Sequence, residues 1–270
     1  MFTDTHCHIN MMIKKQFDVP VPTNFKELAQ PIITQAQQAN VTRIINVGTS
    51  VAESHNCIQL AQAFEHCYAT IGTHPNDLKS DWKNDIATYK KWLTAKETYK
   101  IVGIGEIGLD YHYPNYNKQM QYDGFRAQIE LALEHDLAIV IHTRDAGGEV
   151  LEVLEEYKND GIRGVIHCFS EGQDFANYAL ELGFVLGIGG TLTYPRNKVL
   201  REIATLIPLD KIILETDSPF LPPQKIRGHQ NSPAQIATVA EFLAELRGST
   251  VEEISKVTQA TVSKVFQLPS

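Results

Sequence analysis

Two patterns of apolar positions alternate along this chain. Short, nearly continuous apolar runs (RIINVG, KIVGIG, AIVIH, GVIHC, KIILE) are separated by longer stretches in which apolar residues return every three or four positions. The first kind suits strands buried on both faces, and the second suits amphipathic helices. Strands are predicted over residues 2–9, 43–48, 68–72, 101–106, 138–142, 164–168, 184–188 and 211–215. Helices are predicted over 25–38, 52–64, 85–96, 118–135, 148–159, 173–182 and 198–207, with a final pair over 233–247 and 251–266. Strand–helix units in such a row imply an α/β chain with a parallel sheet and right-handed crossovers. A single closed (β/α)8 TIM-type barrel accommodates about eight units better than an open doubly wound sheet. An open sheet usually carries a Gly-rich phosphate loop after its first strand. Here that place holds Thr-His-Cys-His.

Helix boundaries have local support. Ser232-Pro233 offers a capping hydroxyl before a first-turn proline, Gly248 suits a left-handed cap, and Ser249, Thr250 and Glu253 resemble a capping box. Residues 10–24 are long for a βα connection and read as a lid or a variable surface loop.

The chain has 270 residues, and no Gly/Pro/Ser-rich linker interrupts it. One domain over residues 1–270 is expected. Asp4, His6 and His8 stand where a signal peptide needs an apolar stretch, and no run approaches the roughly 20 apolar residues of a membrane span. Four cysteines without a C-x-x-C pair fit a reduced, cytoplasmic protein. The net charge of −8 excludes a large basic surface that wraps duplex nucleic acid. It leaves room for a phosphate substrate at a local site where divalent metals supply positive charge. No membrane partner is expected, and the protein is expected to be a monomer.

The candidate chemistry sits at the carboxyl ends of the predicted strands, the rim that carries active sites in barrel enzymes. THCH ends the first strand, GTHP the third (His74), GEIGLD the fourth (Glu106, Asp110), IHTR the fifth (His142), IHCF the sixth (His167) and ETDSP the last (Asp217). Side chains alternate along a strand, so His6 and His8 share a side and Cys7 faces the other way. His-x-His alone is weak. The combination is not, since five of the ten histidines (6, 8, 74, 142, 167) fall at strand ends and the others (55, 66, 112, 135, 229) fall on helices or loops. Imidazole and carboxylate together match what divalent transition metals bind, and two neighbouring ions need a bridging anion, a role open to Glu106.

The motifs THCH, GTHP, GEIGLDY, HTRDA, HCFS, GIGGTLTYPR, LETDSPFLPP and RGHQNSP, in this order and across nearly the whole chain, closely resemble the TatD-like metal-dependent deoxyribonucleases. That family lies within the amidohydrolase-like barrel superfamily. The resemblance implies that His6, His8, Glu106 and Asp217 hold one divalent ion and that Glu106, His142 and His167 hold a second, with Mg, Mn, Zn or Ni as candidates. It implies hydrolysis of phosphodiester bonds in DNA by metal-activated hydroxide, often as a 3′-to-5′ exonuclease on single strands or nucleic-acid ends. Glu106 and Asp217 are expected to be catalytic. His74 is expected to donate to the substrate phosphate, with Arg144 and Arg227 as phosphate clamps. Asp110 and Glu215 are expected to orient ligating imidazoles. Tyr111, Tyr113, Tyr116 and Tyr194 are expected to pack onto the rim. The sequence departs from the family pattern at Glu171, Ser218 and His229, and at 229 the family's fixed positive charge is lost. Two other functions are compatible with such residues: hydrolysis of a small amide, lactone or aminoacyl ester, and binding of metal or nucleotide ends without turnover.

Overall fold

A computed structural model describes residues 1–268. The chain begins with β1 (Phe2–Cys7), a short helix α1 (Ile9–Lys14) and α2 (Phe25–Gln38). β2 (Val41–Val47) leads to α3 (Val51–Ala63), and β3 (Cys67–Ile71) leads to α4 (Lys83–Leu93) and the single turn α5 (Lys96–Tyr99). There follow β4 (Ile101–Asp110) with α6 (Lys118–Glu134), β5 (Ala138–Arg144) with α7 (Gly147–Glu156) and β6 (Gly164–Ile166) with α8 (Gln173–Glu181). The last units are β7 (Val185–Ile188) with α9 (Lys198–Leu206) and β8 (Ile212–Leu214) with α10 (Ile236–Arg247) and α11 (Val251–Phe266). The strands pair in parallel in sequence order, from β1 to β8. This is the expected (β/α)8 TIM-type fold.

β8 meets β1 beyond its own end. Cys7 pairs with Ser218, Asp217 N–H donates to the His6 carbonyl (2.8 Å), and His8 N–H donates to the Ser218 carbonyl (2.7 Å). The buried carboxyl of Asp4 reinforces this seam by accepting from Thr216 N–H (3.0 Å) and the Thr216 hydroxyl (2.6 Å).

The strands pack outward against the helices in one large apolar cluster. A second cluster joins Ile45, Val47, Ala138, Val140, Val165, Val185 and Ile213 to Val262, Val265 and Phe266 of α11. By strand alternation the side chains two positions beyond Val140, Val165 and Ile213 share their side of the sheet. These are His142, His167 and Glu215. The barrel therefore holds an apolar floor, plugged from below by α11, and a polar layer above it.

Several boundaries differ from expectation for local reasons. β4 continues to Asp110 because its ladder with β5 resumes after an irregularity between Ile104 and Ile107. β6 and β8 stop at Ile166 and Leu214, so His167 and Asp217 lie on the turns that follow. The predicted helix over 85–96 divides into α4 and α5, and residues 9–14 form a helix where a loop was expected. Gly248 adopts the left-handed conformation (φ 62°) that ends α10. Thr250 caps α11 by accepting from Glu253 N–H (3.1 Å). Ser232 makes no capping bond, and Pro233 opens a 3-10 turn ahead of α10. No helix among the described residues is long and apolar enough to cross a membrane.

Phe266 fills the floor and is 3% exposed. Phe266→Ala should destabilise the protein by about 3–5 kcal/mol through the cavity it leaves. Urea unfolding measures this, and a loss under about 1 kcal/mol would mean that the floor collapses to fill the gap.

Candidate metal centre

The polar layer gathers the six side chains read from the sequence as metal ligands. His6 and His8 direct their Nε2 atoms to within 3.2 Å of each other. Asp217 Oδ1 stands 3.3 Å from His8 Nε2 and 3.6 Å from His6 Nε2. Glu106 divides its carboxylate between two sides. Oε2 is 3.5 Å from His6 Nε2, whereas Oε1 is 2.8 Å from His142 Nδ1 and 3.7 Å from His167 Nε2. Two groups suited to an ion, His6/His8/Glu106 and Glu106/His142/His167, therefore share Glu106, each with one donor atom per residue inside 4.8 Å.

Backbone geometry permits this crowding. A Cβ on Gly108 would lie 2.0 Å from the His142 carbonyl oxygen, and one on Gly187 would lie 2.3 Å from Glu215 Oε2. Gly108 needs glycine because backbone stands in the way, whereas a side chain at Gly187 would displace the Glu215 carboxylate. Asp217 and Cys168 take left-handed φ angles of 55° and 46° on the turns that aim the site residues. Such conformations concentrate where surrounding structure enforces them.

A second layer fixes the rings. His8 Nδ1 donates to the Val47 carbonyl (2.9 Å), which leaves Nε2 toward the centre. Asp110 Oδ2 meets His142 Nε2 at 3.2 Å and also accepts from Asn76 Nδ2 (2.8 Å). Glu215 Oε1 lies 3.0 Å from His167 Nδ1, at an angle off hydrogen-bond alignment, and accepts from Cys168 N–H (2.6 Å). Asp110 thus lies behind His142, and Glu215 behind His167. The His6 and His167 rings stack at 3.5 Å.

His74 sits beside this centre, its Nε2 3.8 Å from Glu106 Oε1 and its ring edge-on to His142. Its Nδ1 accepts from Asn76 N–H (3.1 Å), so the neutral ring carries its proton on Nε2. Burial, helped by His142, pushes its pKa down to about 3, so it stays a neutral donor near pH 7.

The residues fit divalent ions. Four carboxylates (Glu106, Asp110, Glu215, Asp217) converge in a cup where desolvation penalises unpaired charge. Burial resists ionisation of Glu106, yet His167, His142 and His6 together hold it well below the usual carboxylate range. Burial likewise resists charge on His167, but Glu215 and Glu106 raise its pKa to about 10. Asp110 and Glu106 raise His142, and Asp217 raises His8, against the same burial. Two imidazole nitrogens facing each other at 3.2 Å cannot both point protons at each other, whereas a cation between them would satisfy both. Without metal, the carboxylates favour protons on His8, His142 and His167 as counter-charge, whereas burial keeps His6 and His74 toward the neutral form.

The centre opens into a cavity of about 840 Å³ lined by Phe17, Tyr113, Phe220, Arg144 and Arg196, among others. Arg144 reaches the lining and stacks over Tyr113. Arg227, expected at the phosphate, is exposed, lies outside this lining and stacks on Tyr194 at 4.9 Å. Tyr194 is buried with its hydroxyl on the Pro222 carbonyl, and Tyr111 stacks on Tyr116, both as rim packing. Tyr113 departs from that expectation, being 54% exposed inside the mouth. His55, His66, His112 and His229 are exposed. Sequence reasoning passed over Asp4, Arg196, Phe17 and Phe220. For Asp4 a signal existed, since D-x-H-x-H puts it on the same strand side as His6 and His8.

Barrel and centre together define a metal-dependent hydrolase. The chain belongs to the TatD family: the profile described as TatD related DNase matches residues 3–267. The uncharacterized metal-dependent hydrolase YabD of Bacillus subtilis (strain 168) is 36% identical, covering 99% of this chain and 100% of that protein. The 3′-5′ ssDNA/RNA exonuclease TatD of Citrobacter rodentium (strain ICC168) is 31% identical over 93% of this chain and 97% of its own. Among solved structures, the TatD homologue YjjV of Escherichia coli K12 superposes with a TM-score of 0.87 at 30% identity, covering 99% of this chain and 98% of that one.

Because the raised histidines must lose protons to take an ion, divalent metal added to stripped protein near pH 7 should acidify a weakly buffered solution, and affinity should rise with pH. Calorimetry in two buffers of different ionisation enthalpy counts the protons. Metal uptake with no proton release would contradict the arrangement.

Proposed function

We propose that this protein is a two-ion phosphodiesterase that removes nucleotides from the 3′ end of single-stranded DNA. The observation that carries the reading is the split carboxylate of Glu106, buried between two imidazole groups beneath a mouth lined by arginines and aromatic rings. His6, His8, Glu106 and Asp217 would hold one ion, and Glu106, His142 and His167 the other. Mg, Mn, Zn and Ni are the candidate metals. Imidazole-rich ligands favour the transition metals, whereas an oxygen-rich substrate phosphate accommodates Mg. Bound there, the ions supply Lewis acidity, which makes water a nucleophile near neutral pH and offsets charge on the phosphoryl oxygens.

The chain's own residues do the rest. Asp217, its pKa lowered against burial chiefly by His8 and His167, can accept the attacking water's proton. His74 lines the cavity, and its Nε2–H, 3.8 Å from Glu106 Oε1, is the neutral donor for a phosphoryl oxygen. Arg144 holds the phosphate from the lining, with Arg227 farther out on Tyr194. Polarity and preference for single strands rest on the activity named for the Citrobacter relative. One chain supplies every residue invoked, so the proposed reaction requires no second subunit.

The test uses stripped protein resupplied with Mg, Mn, Zn or Ni and a 5′-labelled single-stranded oligonucleotide. A metal-dependent ladder shortening from the 3′ end is expected, and Glu106→Gln should abolish it while the barrel's circular dichroism is kept. Full metal loading without cleavage would instead assign the centre to a carbonyl substrate, such as an amide, lactone or aminoacyl ester. Glu215→Gln removes the charge behind His167 and should cost ~10–100-fold in metal affinity or rate. An unchanged metal titration and rate would remove Glu215 from the assembly.

A further inference from the structure

The loop between β1 and α2 carries a feature that the metal centre does not use. Phe17 is 61% exposed, yet the backbone beneath it is tied down by a buried charge. Glu53 of α3, 1% exposed, gathers the loop onto its carboxylate. Oε1 pairs with Lys14 Nζ (2.6 Å) and accepts from Asp18 N–H (2.6 Å), and Oε2 accepts from Asn10 Nδ2 (2.7 Å). Asn56, one turn along α3, accepts from Val21 N–H (3.0 Å) and donates to the Val19 carbonyl (2.9 Å). The Ser50 hydroxyl donates to Asp18 (2.6 Å). A loop anchored at both ends to one helix is a fixed support, so Phe17 is held in water at the cavity wall where a flexible loop would let it fold inward.

Phe220, 41% exposed, stands on the turn after β8, the neighbour of β1 across the seam. Its ring lies edge-on to His8 at 6.1 Å, and both phenylalanines line the cavity of the metal centre. The two rings themselves offer apolar faces and no hydrogen-bond donors, so they suit a flat π-surface without reading its edge. Resting on the phosphodiesterase reading above, we infer that Phe17 and Phe220 form an aromatic shelf that stacks the base of the nucleotide being removed, with Glu53 as the positioning residue that holds Phe17 in place. A base lies one sugar away from its phosphate, so a phosphate at the centre brings its base to the adjacent wall. At a duplex end the terminal base is held by its pairing edge and by stacking on its inner neighbour, so only an unpaired base is free to turn out of the stack onto the rings. The shelf thus demands an unpaired end and tolerates any of the four bases.

The test compares two single-stranded oligonucleotides with the metal-loaded protein, one with an ordinary 3′-terminal nucleotide and one whose 3′-terminal residue is abasic. Phe17→Ala and Phe220→Ala, both at exposed positions that leave the fold intact, should each raise KM for the ordinary end about tenfold, the scale of one base–aromatic contact. Neither should change KM for the abasic end, which wild type itself should bind more weakly. Glu53→Gln keeps the side chain's shape but releases Lys14. It should raise KM for the ordinary end alone, with kcat and metal content kept. Equal losses on both ends, or wild-type kinetics in the phenylalanine variants, would overturn the shelf and leave the nuclease reading standing. A wild-type protein that cleaves neither oligonucleotide would overturn both.

Discussion

Burial of charge at the barrel mouth is the constraint around which this molecule is organised. Four carboxylates and five imidazoles share a cup from which much of the water is excluded. Burying charge costs free energy unless partners repay it, and here the partners are one another. Glu106 ionises because His167, His142 and His6 surround it, and His167 holds a proton because Glu215 and Glu106 do. The stability that His167 supplies without metal is fully present below its unfolded pKa of about 6.5 and lost as pH rises through about 10. Cations in place of these protons remove that dependence, which ties metal occupancy to the integrity of the mouth.

The barrel beneath absorbs the cost of such a cup. Val140, Val165 and Ile213 fill the interior one step below His142, His167 and Glu215, and α11 closes the opposite end. Closure is also functional. The seam bonds from Asp217 to His6 and from His8 to Ser218 set the spacing of three proposed ligands at the ends of two strands that share no regular ladder. Asp4 and Thr216 stitch the same seam from within. Fold closure and site geometry here are one set of hydrogen bonds, so a change at Asp4 would reach both.

Period and position explain how much could be read from the sequence. Apolar runs at regular intervals specified the order of strands and helices, and alternation placed His6 with His8. The histidines on helices and loops lacked both signals, and four of those five are exposed. Other features depend on contacts between distant positions. Nothing in the local pattern around Phe17 says that Glu53, thirty-six residues later, will hold it at the mouth. Arg227 was placed by motif, but its guanidinium found the face of Tyr194 and sits just outside the cavity lining. The split of residues 85–96 into two helices follows from Thr94 and Ala95, where the chain turns before Lys96. Apolar periodicity alone does not register that turn.

Charge distribution limits how a polyanion can approach. With a net charge of −8, the chain as a whole repels a polyanion, so on the proposed nuclease reading favourable contact has to be local. Arg144 and Arg196 line the cavity, and Arg227 sits just outside it. So few cations can displace only a few condensed counterions, so affinity should fall gently with salt compared with proteins that track many phosphates. On that reading, binding strength would come from short-range contacts at the end of the strand: ions at the innermost phosphate, the neutral His74 donor and the aromatic rings of the lining. Such contacts are lost when the end is hidden in a duplex. On the proposed nuclease reading, an acidic barrel whose mouth carries arginines and aromatic rings beside its metal centre would suit strand ends, and its overall repulsion would make the interior of a long nucleic acid a poor competitor for the same site.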